Sequence, residues 1–330
     1  MSAATPRLGE PRQSPPTAHA GIVGVGAALP GRIVSSAEVA ERVGVAEEWI
    51  VKRTGIRARR YADPRASLAE LAASAGREAI ADAGIDASDV DLVLVASCSQ
   101  DSIMPNAAPV VAELLGTPGA GAFDIGSACT GFIAALAAAR GMLLTGAARN
   151  ALLIGAEILS RHVDPADRNT AALFGDGAGA AVCSAGAPGR IGPVVLGSDG
   201  SNHALIRADR DSGILAMEGH DTFKQAVLRL AEATLAACES AATPLAAIDL
   251  FVYHQANVRI LAALAERLGV PPEKVLDAIA DVGNTSAASV PLALAHARRE
   301  GLLRPGMRVL LAGAGAGFTW GASVVEWGIA

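Results

Sequence analysis

Three separated stretches hold side chains able to do covalent chemistry. Residues 123–132 read FDIGSACTGF, so Cys129 stands where a strand-like run stops and an Ala-rich helical run starts. The first N–H groups of a helix are unpaired and carry partial positive charge. A thiol placed there gains thiolate character and becomes a nucleophile near neutral pH. A buried, inert junction cysteine is the competing reading, and the junction alone does not remove it. Among the six histidines, His254 alone ends a buried strand, in LFVYHQAN. Catalytic groups of α/β folds gather at such ends, although a core histidine bonded to backbone fits the segment as well. His19 falls in the N-terminal stretch, His162, His203 and His220 in loops, and His296 in a helical run. The third stretch, DVGNTSAAS at 281–289, is a turn ahead of small residues that suggests a helix entrance holding Asn284 at a fixed angle. An ordinary turn asparagine is the alternative. The other cysteines, Cys98, Cys183 and Cys238, show no CxxC pair and no metal-ligand spacing. Each suits a small apolar site and a reduced thiol.

The elements that must position these groups alternate between strand and helix. GIVGVGAAL, DLVLVAS, GAFDIGSA, NALLIGAEIL and GDGAGAAVCS read as strands; SLAELAASAGREAIADAG, APVVAELLG and CTGFIAALAAARGMLLTG read as helices. The second half repeats this grammar. RIGPVVLGSDG and IDLFVYHQAN are strand-like, FKQAVLRLAEATLAACESA, RILAALAERLG and VPLALAHARREG helical, and RVLLAGAGAGFTWGASVVEW gives two final strands joined through glycines. NALLIGAEIL with GDGAGAAVCS echoes RVLLAGAGAG with FTWGASVVEW. Each half is thus a mixed βαβ unit, and two such units stacked would give a five-layered αβαβα body. The turn-rich AGAPGRIG, near residues 185–192, is the best boundary.

Composition excludes several classes. Of 330 residues, 51% are apolar and 18% charged, enough to bury a large core and incompatible with general disorder. The net charge of −6 and the lack of a basic run argue against nucleic-acid binding. The longest apolar run, from Phe132 to Leu144, is interrupted by Arg140 and is too short for a membrane span. The first 19 residues, MSAATPRLGEPRQSPPTAH, lack an apolar signal core and read as a flexible tail, so a cytoplasmic protein is expected. A dinucleotide site at GVGAAL is weak, because the third glycine is missing and no acidic residue follows at the right spacing. The glycines of GDGAGA suit tight strand packing better than a phosphate loop.

Taken together, DIGSACTGF, HQANVRI and GNTSAAS, in this order, resemble the Cys-His-Asn set of the β-ketoacyl-ACP synthase III enzymes of the thiolase superfamily. EEWIVKRTGIRARR, DPADRNTAALFGDGAGAAV, MEGHDTFKQAV and GAGFTWGASVV are similar to the same family, so the resemblance spans nearly all of the chain past the tail. It implies a thiolase-like five-layered fold with a nucleophile half, 20–187, and a His/Asn half, 188–330. It also implies a homodimer that needs no cofactor or metal, with acyl-CoA and acyl carrier protein (ACP) as partners. Cys129 would attack an acyl-CoA thioester. His254 and Asn284 would donate to the enolate oxygen as malonyl-ACP loses carbon dioxide. Backbone N–H groups at Cys129 and Ala316 would form an oxyanion hole. Trp49, Arg53 and Arg168 match positions that contact the adenine end of CoA, and Gly219 and Asn257 match the pantetheine tunnel. Lys224, Arg259 and Arg267 match a basic patch that docks the carrier.

Three departures from the family pattern bear on specificity. Glu266 stands where relatives carry a second base. Ala314 replaces an aromatic common near the catalytic histidine. Met104 lies where a residue of the partner subunit closes the acyl pocket. The resemblance therefore implies an acyl pocket, bounded by Ala314 and Met104, of a shape different from an acetyl-specific one. The alternative reading is an acyltransferase of the same fold that moves the acyl group to another acceptor. Retention of Asn284 argues against it, because the enolate donor pair serves decarboxylation.

Overall fold

The computed structural model describes residues 15–330. Most of the expected tail, residues 1–14, lies outside the described residues; within 15–19, Thr17 N–H donates to the Leu144 carbonyl at 3.2 Å. In chain order the strands are β1 (Ala20–Ala28), β2 (Arg32–Ser35), β3 (Ala58–Tyr61), β4 (Leu92–Ala96), β5 (Gly121–Ile125), β6 (Asn150–Glu157), β7 (Gly177–Ala185), β8 (Arg190–Ser198), β9 (Ile206–Ala208), β10 (Leu215–Met217), β11 (Leu250–Tyr253), β12 (Arg308–Gly315) and β13 (Thr319–Glu326). The helices are α1 (Ser36–Val43), α2 (Glu47–Thr54), α3 (Leu68–Ala83), α4 (Ala107–Leu115), α5 (Gly131–Leu144), α6 (Arg168–Ala171), α7 (Gly219–Ser240), α8 (Val258–Leu268) and α9 (Ser289–Arg299). Every strand and helix expected above is present.

Two sheets form the body, ordered β1-β7-β6-β4-β5 and β11-β12-β13-β8. In each, a parallel pair (β4 with β6, β11 with β12) continues into an antiparallel pair (β6 with β7, β12 with β13) and then an antiparallel outer strand. The echo seen in sequence is therefore the same strand arrangement built twice. Helices α5 and α9 lie between the sheets and touch both. Around them Phe132, Ile133, Leu136, Val290, Leu294 and Trp327 form the central core. Helices α3 and α4 cover the outer face of the first sheet, α7 and α8 that of the second, each over its own apolar cluster. The order is αβαβα.

Small residues make the layers thin. Gly179 on β7 faces α9, and a Cβ there would lie 2.5 Å from Leu292 N and 2.7 Å from Pro291 C. The glycines of GDGAGA thus serve helix–sheet packing.

Residues 32–61 fold as a small cap that periodicity left unassigned: β2 pairs with β3, and α1 and α2 pack over them. Val34, Val39, Ile50 and Ile56 join Leu159, Phe174 and Ile279 of the body in one cluster. A second addition, the β9–β10 hairpin, stands apart from the main sheets. Among the described residues no helix is long and apolar enough to cross a membrane.

Gly179→Ala should force α9 off the sheet and destabilise the fold by about 1–3 kcal/mol. Urea unfolding should show a lower midpoint at unchanged slope.

Candidate active site

A cavity of about 1070 Å³ is lined by residues of both halves, and Cys129, His254 and Asn284 all face it. Three different backbone devices bring them there. Cys129 sits in a 3₁₀ turn, Ala128–Thr130, between β5 and the first residue of α5. Ala128 is held at φ 42°, a left-handed conformation unfavourable for a residue with a Cβ. Thr130 Oγ1 lies 3.0 Å from Thr319 Oγ1, tying this turn to β13 of the other half. Gly315 on β12 lets the two halves meet: a Cβ there would lie 3.0 Å from Cys129 Sγ. Ala316 follows directly and lines the same cavity.

His254 continues β11 by donating its N–H to the Ala312 carbonyl at 2.7 Å. Its neighbour Gln255 fixes the turn. Gln255 N–H donates to Ser289 Oγ at 2.6 Å, and Gln255 Oε1 accepts from Ala278 N–H at 2.8 Å. Burial lowers the His254 pKa from 6.5 to about 4, so the imidazole is neutral at pH 7.

Asn284 is buried, and its amide has a defined orientation. Oδ1 accepts from Ser286 N–H at 2.9 Å, which leaves Nδ2 as a donor with no partner among the described residues. The turn that carries it crosses β6 at backbone distance, because Gly155 has no side chain; a Cβ there would lie 2.1 Å from the Ala287 carbonyl oxygen. Ser286, like Ala128, has a left-handed φ, of 48°.

The helix start does not by itself make a thiolate. Burial pushes the Cys129 thiol up to about 11, opposed by the nearby Ser286 hydroxyl and reinforced by the Glu157 carboxylate. The expectation from the strand–helix junction is corrected accordingly: desolvation outweighs the partial charge of the first helical N–H groups. A neutral thiol and a neutral imidazole therefore share the cavity. The thiol proton must leave during attack, and a neutral histidine is a base able to take it.

Sequence reasoning missed several neighbours of this set. Glu157, fully buried at the end of β6, accepts from Ser99 Oγ at 2.5 Å, Ser97 Oγ at 3.2 Å and Cys98 N–H at 3.2 Å. Burial raises its pKa. A lone acid ending the apolar run NALLIGAE was the available signal. Cys98, taken as a small apolar residue, lines the cavity and places its Sγ 3.2 Å from Glu157 Oε1. Arg207 and Arg210, on the β9–β10 hairpin, also border the cavity. His162 anchors that hairpin by accepting from Leu215 N–H at 2.7 Å, with Nδ1 2.8 Å from the Gly213 carbonyl.

The expected entry residues divide. Trp49 carries Arg53 at 4.2 Å and Arg168 at 5.8 Å from its ring, a stack of planar cations on an aromatic face. Gly219 opens α7, and Asn257 caps α8 by accepting from Arg259 N–H at 2.8 Å; both line the cavity. Lys224 and Arg259 line it too, Lys224 paired with Asp221 at 3.2 Å. Ala314, on β12, is a cavity residue. Arg267 is carried to the last turn of α8, away from the cavity. Met104 is 83% exposed and does not line this chain's own cavity, whereas Ile103 beside it does. No cluster able to hold a metal ion occurs among the described residues.

The His254 shift has a sign that unfolding can read. The unfolded imidazole takes a proton near pH 6.5, the folded one only near 4. Between these values the unfolded state binds more protons, so stability falls as pH drops. Wild type should lose roughly 2–3 kcal/mol more than His254→Gln between pH 7 and pH 4.5, measured by urea unfolding.

The chain is similar to known proteins over nearly all of its length. The family described as 3-Oxoacyl-[acyl-carrier-protein (ACP)] synthase III matches residues 123–200, and its C-terminal part matches residues 238–327. The chain is 44% identical over 313 residues to "Beta-ketoacyl-[acyl-carrier-protein] synthase III 2" of Streptomyces coelicolor, covering 94% of each. It is 45% identical to the synthase III of Bordetella petrii, covering 92% of this chain and 97% of that protein. The crystal structure of the Aquifex aeolicus synthase III superposes with a TM-score of 0.91 at 39% identity, covering 93% of this chain and all of that one. A priming β-ketosynthase from a polyketide biosynthetic pathway superposes with a TM-score of 0.91 at 37% identity, covering 96% and 98%. With a thiolase-type fold built twice, and with identity of this extent over nearly its whole length, the chain belongs to the 3-oxoacyl-[acyl-carrier-protein] synthase III family.

Proposed function

We propose that the protein condenses an acyl-CoA primer with malonyl-ACP, releasing carbon dioxide and giving 3-oxoacyl-ACP. The observation that carries this reading is the convergence of a cysteine thiol, a neutral buried imidazole and an asparagine N–H on one cavity. Cys129 Sγ attacks the thioester carbonyl while His254 takes its proton. Backbone N–H groups at Cys129 and Ala316 hold the tetrahedral oxyanion. CoA leaves as the thiol, taking the proton from His254. Malonyl-ACP then enters, and its carboxylate departs as carbon dioxide. His254 and Asn284 Nδ2 each donate to the thioester oxygen as it becomes an enolate. Two neutral donors stabilise that oxygen without protonating the carbanion. The carbanion attacks the acyl-cysteine carbonyl, and Cys129 leaves as the thiolate, which takes a proton from solvent to restore the neutral thiol. All of these roles fall to the chain's own residues, with acyl-CoA and malonyl-ACP as substrates.

Trp49 with Arg53 and Arg168 would receive the adenine end of CoA, and Gly219 and Asn257 would flank the pantetheine arm. Lys224, Arg259 and Arg267 would dock the acidic carrier. The same reading divides the chain into 20–187, carrying the nucleophile, and 188–330, carrying His254 and Asn284, each with its own main sheet. It also puts the protein beside its substrates in the cytoplasm, initiating fatty-acid chains or priming polyketides. A homodimer is supported by β5, an edge strand whose outer side has no strand partner among the described residues, with Phe123 39% exposed. Exposed Ile103, Met104, Val110 and Leu114 lie on neighbouring segments. Unprotected apolar edges of this kind are normally covered. Met104 would then reach the partner's acyl pocket, which Ala314 widens.

Incubation with an acyl-CoA series should leave an acyl adduct on Cys129 by mass spectrometry, with acyl groups larger than acetyl accepted; Cys129→Ala should carry none. Asn284→Ala should keep the adduct and lose about 100–1,000-fold in labelled carbon dioxide release from malonyl-ACP. Undiminished release in that variant would remove Asn284 from the enolate step, whereas a wild type that acylates Cys129 but releases no carbon dioxide would favour acyl transfer without decarboxylation. Phe123→Glu should sediment as a monomer where the wild type sediments as a dimer.

A further inference from the structure

Arg59 belongs to GIRARR, residues 55–60, a stretch the reaction above leaves without a role. It is fully buried on β3. Among the described residues no carboxylate pairs with it. Nη1 donates to Ser36 Oγ at 3.2 Å, Nη2 donates to the Ala172 carbonyl at 2.8 Å, and Nε has no partner among the described residues. Burial lowers its pKa, with Tyr61 and Glu38 acting in the other direction. A buried guanidinium without a counter-ion is costly, so a salt bridge does not account for it.

What Arg59 touches is the frame of Asn284. The residue after Ala172 is Leu173, whose carbonyl accepts from Asn284 N–H at 2.9 Å. The Asn284 carbonyl in turn accepts from Gly175 N–H at 3.0 Å, and Phe174 bridges to Asn284 like a strand partner. The Arg59 stem lies against both segments. A Cβ on Gly175 would lie 3.0 Å from Arg59 Cβ, and one on Gly283 3.1 Å from it. On either side of Arg59, β3 is bonded to the same two segments: Ala58 N–H donates to the Ala280 carbonyl at 3.0 Å, and Asp176 N–H donates to the Arg60 carbonyl at 2.8 Å.

We propose that Arg59 is a positioning residue for Asn284. Its stem sets the spacing of segments 172–176 and 280–285, and its Nη2 holds the first of them through Ala172. The Asn284 amide is thereby aimed before malonyl-ACP arrives. The proposal rests on the reading of Asn284 as an enolate donor. A donor displaced by about 1 Å costs on the order of 100-fold in rate, whereas acylation of Cys129 does not use Asn284.

The experiment compares Arg59→Met, Arg59→Lys and Asn284→Ala in the full chain. Two rates are read: acylation of Cys129 by acyl-CoA, and carbon dioxide release from malonyl-ACP. Both Arg59 variants should acylate within about threefold of wild type, while carbon dioxide release falls about 10- to 100-fold in Arg59→Met and less in Arg59→Lys. A loss shared equally by both rates, or no loss in either, overturns the proposal. Should Arg59→Met fail to fold, Arg59→Lys decides on the same criteria, because it keeps the charge and most of the stem but shortens the reach to Ala172. Wild-type release in Asn284→Ala overturns the reading of Asn284, and the proposal with it. A selective loss in Asn284→Ala that both Arg59 variants lack overturns the proposal alone.

Discussion

The bare backbone of Gly315 against Cys129 is the contact on which the rest of the site depends. A single methyl group there would lie 2.7 Å from the cysteine Cβ. That approach lets the helix turn of one half rest on a strand of the other. The two halves can do this because α5 and α9 are shared between the sheets, so neither sheet can shift without moving both helices. Close-packed interiors resist such shifts. The thin, Ala- and Gly-rich layers are thus a condition of the chemistry as well as of stability.

Desolvation sets the protonation states around that contact. Burial drives the thiol up and the imidazole down, which leaves both neutral. Neutrality suits a residue that must give up a proton only when substrate is bound, and one that must first accept a proton and then donate an N–H. The strained turns at Ala128 and Ser286 sit beside these groups. Their unfavourable backbone conformations persist because packing on all sides determines them. The cap of residues 32–61 adds a second layer of support. It carries Trp49 and Arg53 to the cavity and packs against the segments that hold Asn284.

The body elements and the catalytic trio were legible in the sequence for local reasons. A strand buried on both faces is a continuous apolar run, as in DLVLVA, and a helix ends on its glycine, as in α3 and α8. Cys129, His254 and Asn284 each mark a junction between a regular element and a tight turn, which residue type and spacing reveal. Glu157 could have been suspected as an acid ending an apolar strand. The β9–β10 hairpin could not, because strands of three residues carry no periodicity. Gln255 and Arg59 act through partners distant in the chain, and no local pattern records them.

By itself the sequence determined which residues form each layer, where each layer ends, and that three chemically apt side chains stand at those ends. Only the tertiary structure decided that they share one cavity, that the asparagine amide points its N–H outward, and that the thiol is held neutral. The physical reason is that secondary structure follows short-range periodicity and capping. Protonation and donor direction follow desolvation and hydrogen bonds made between segments far apart in the chain.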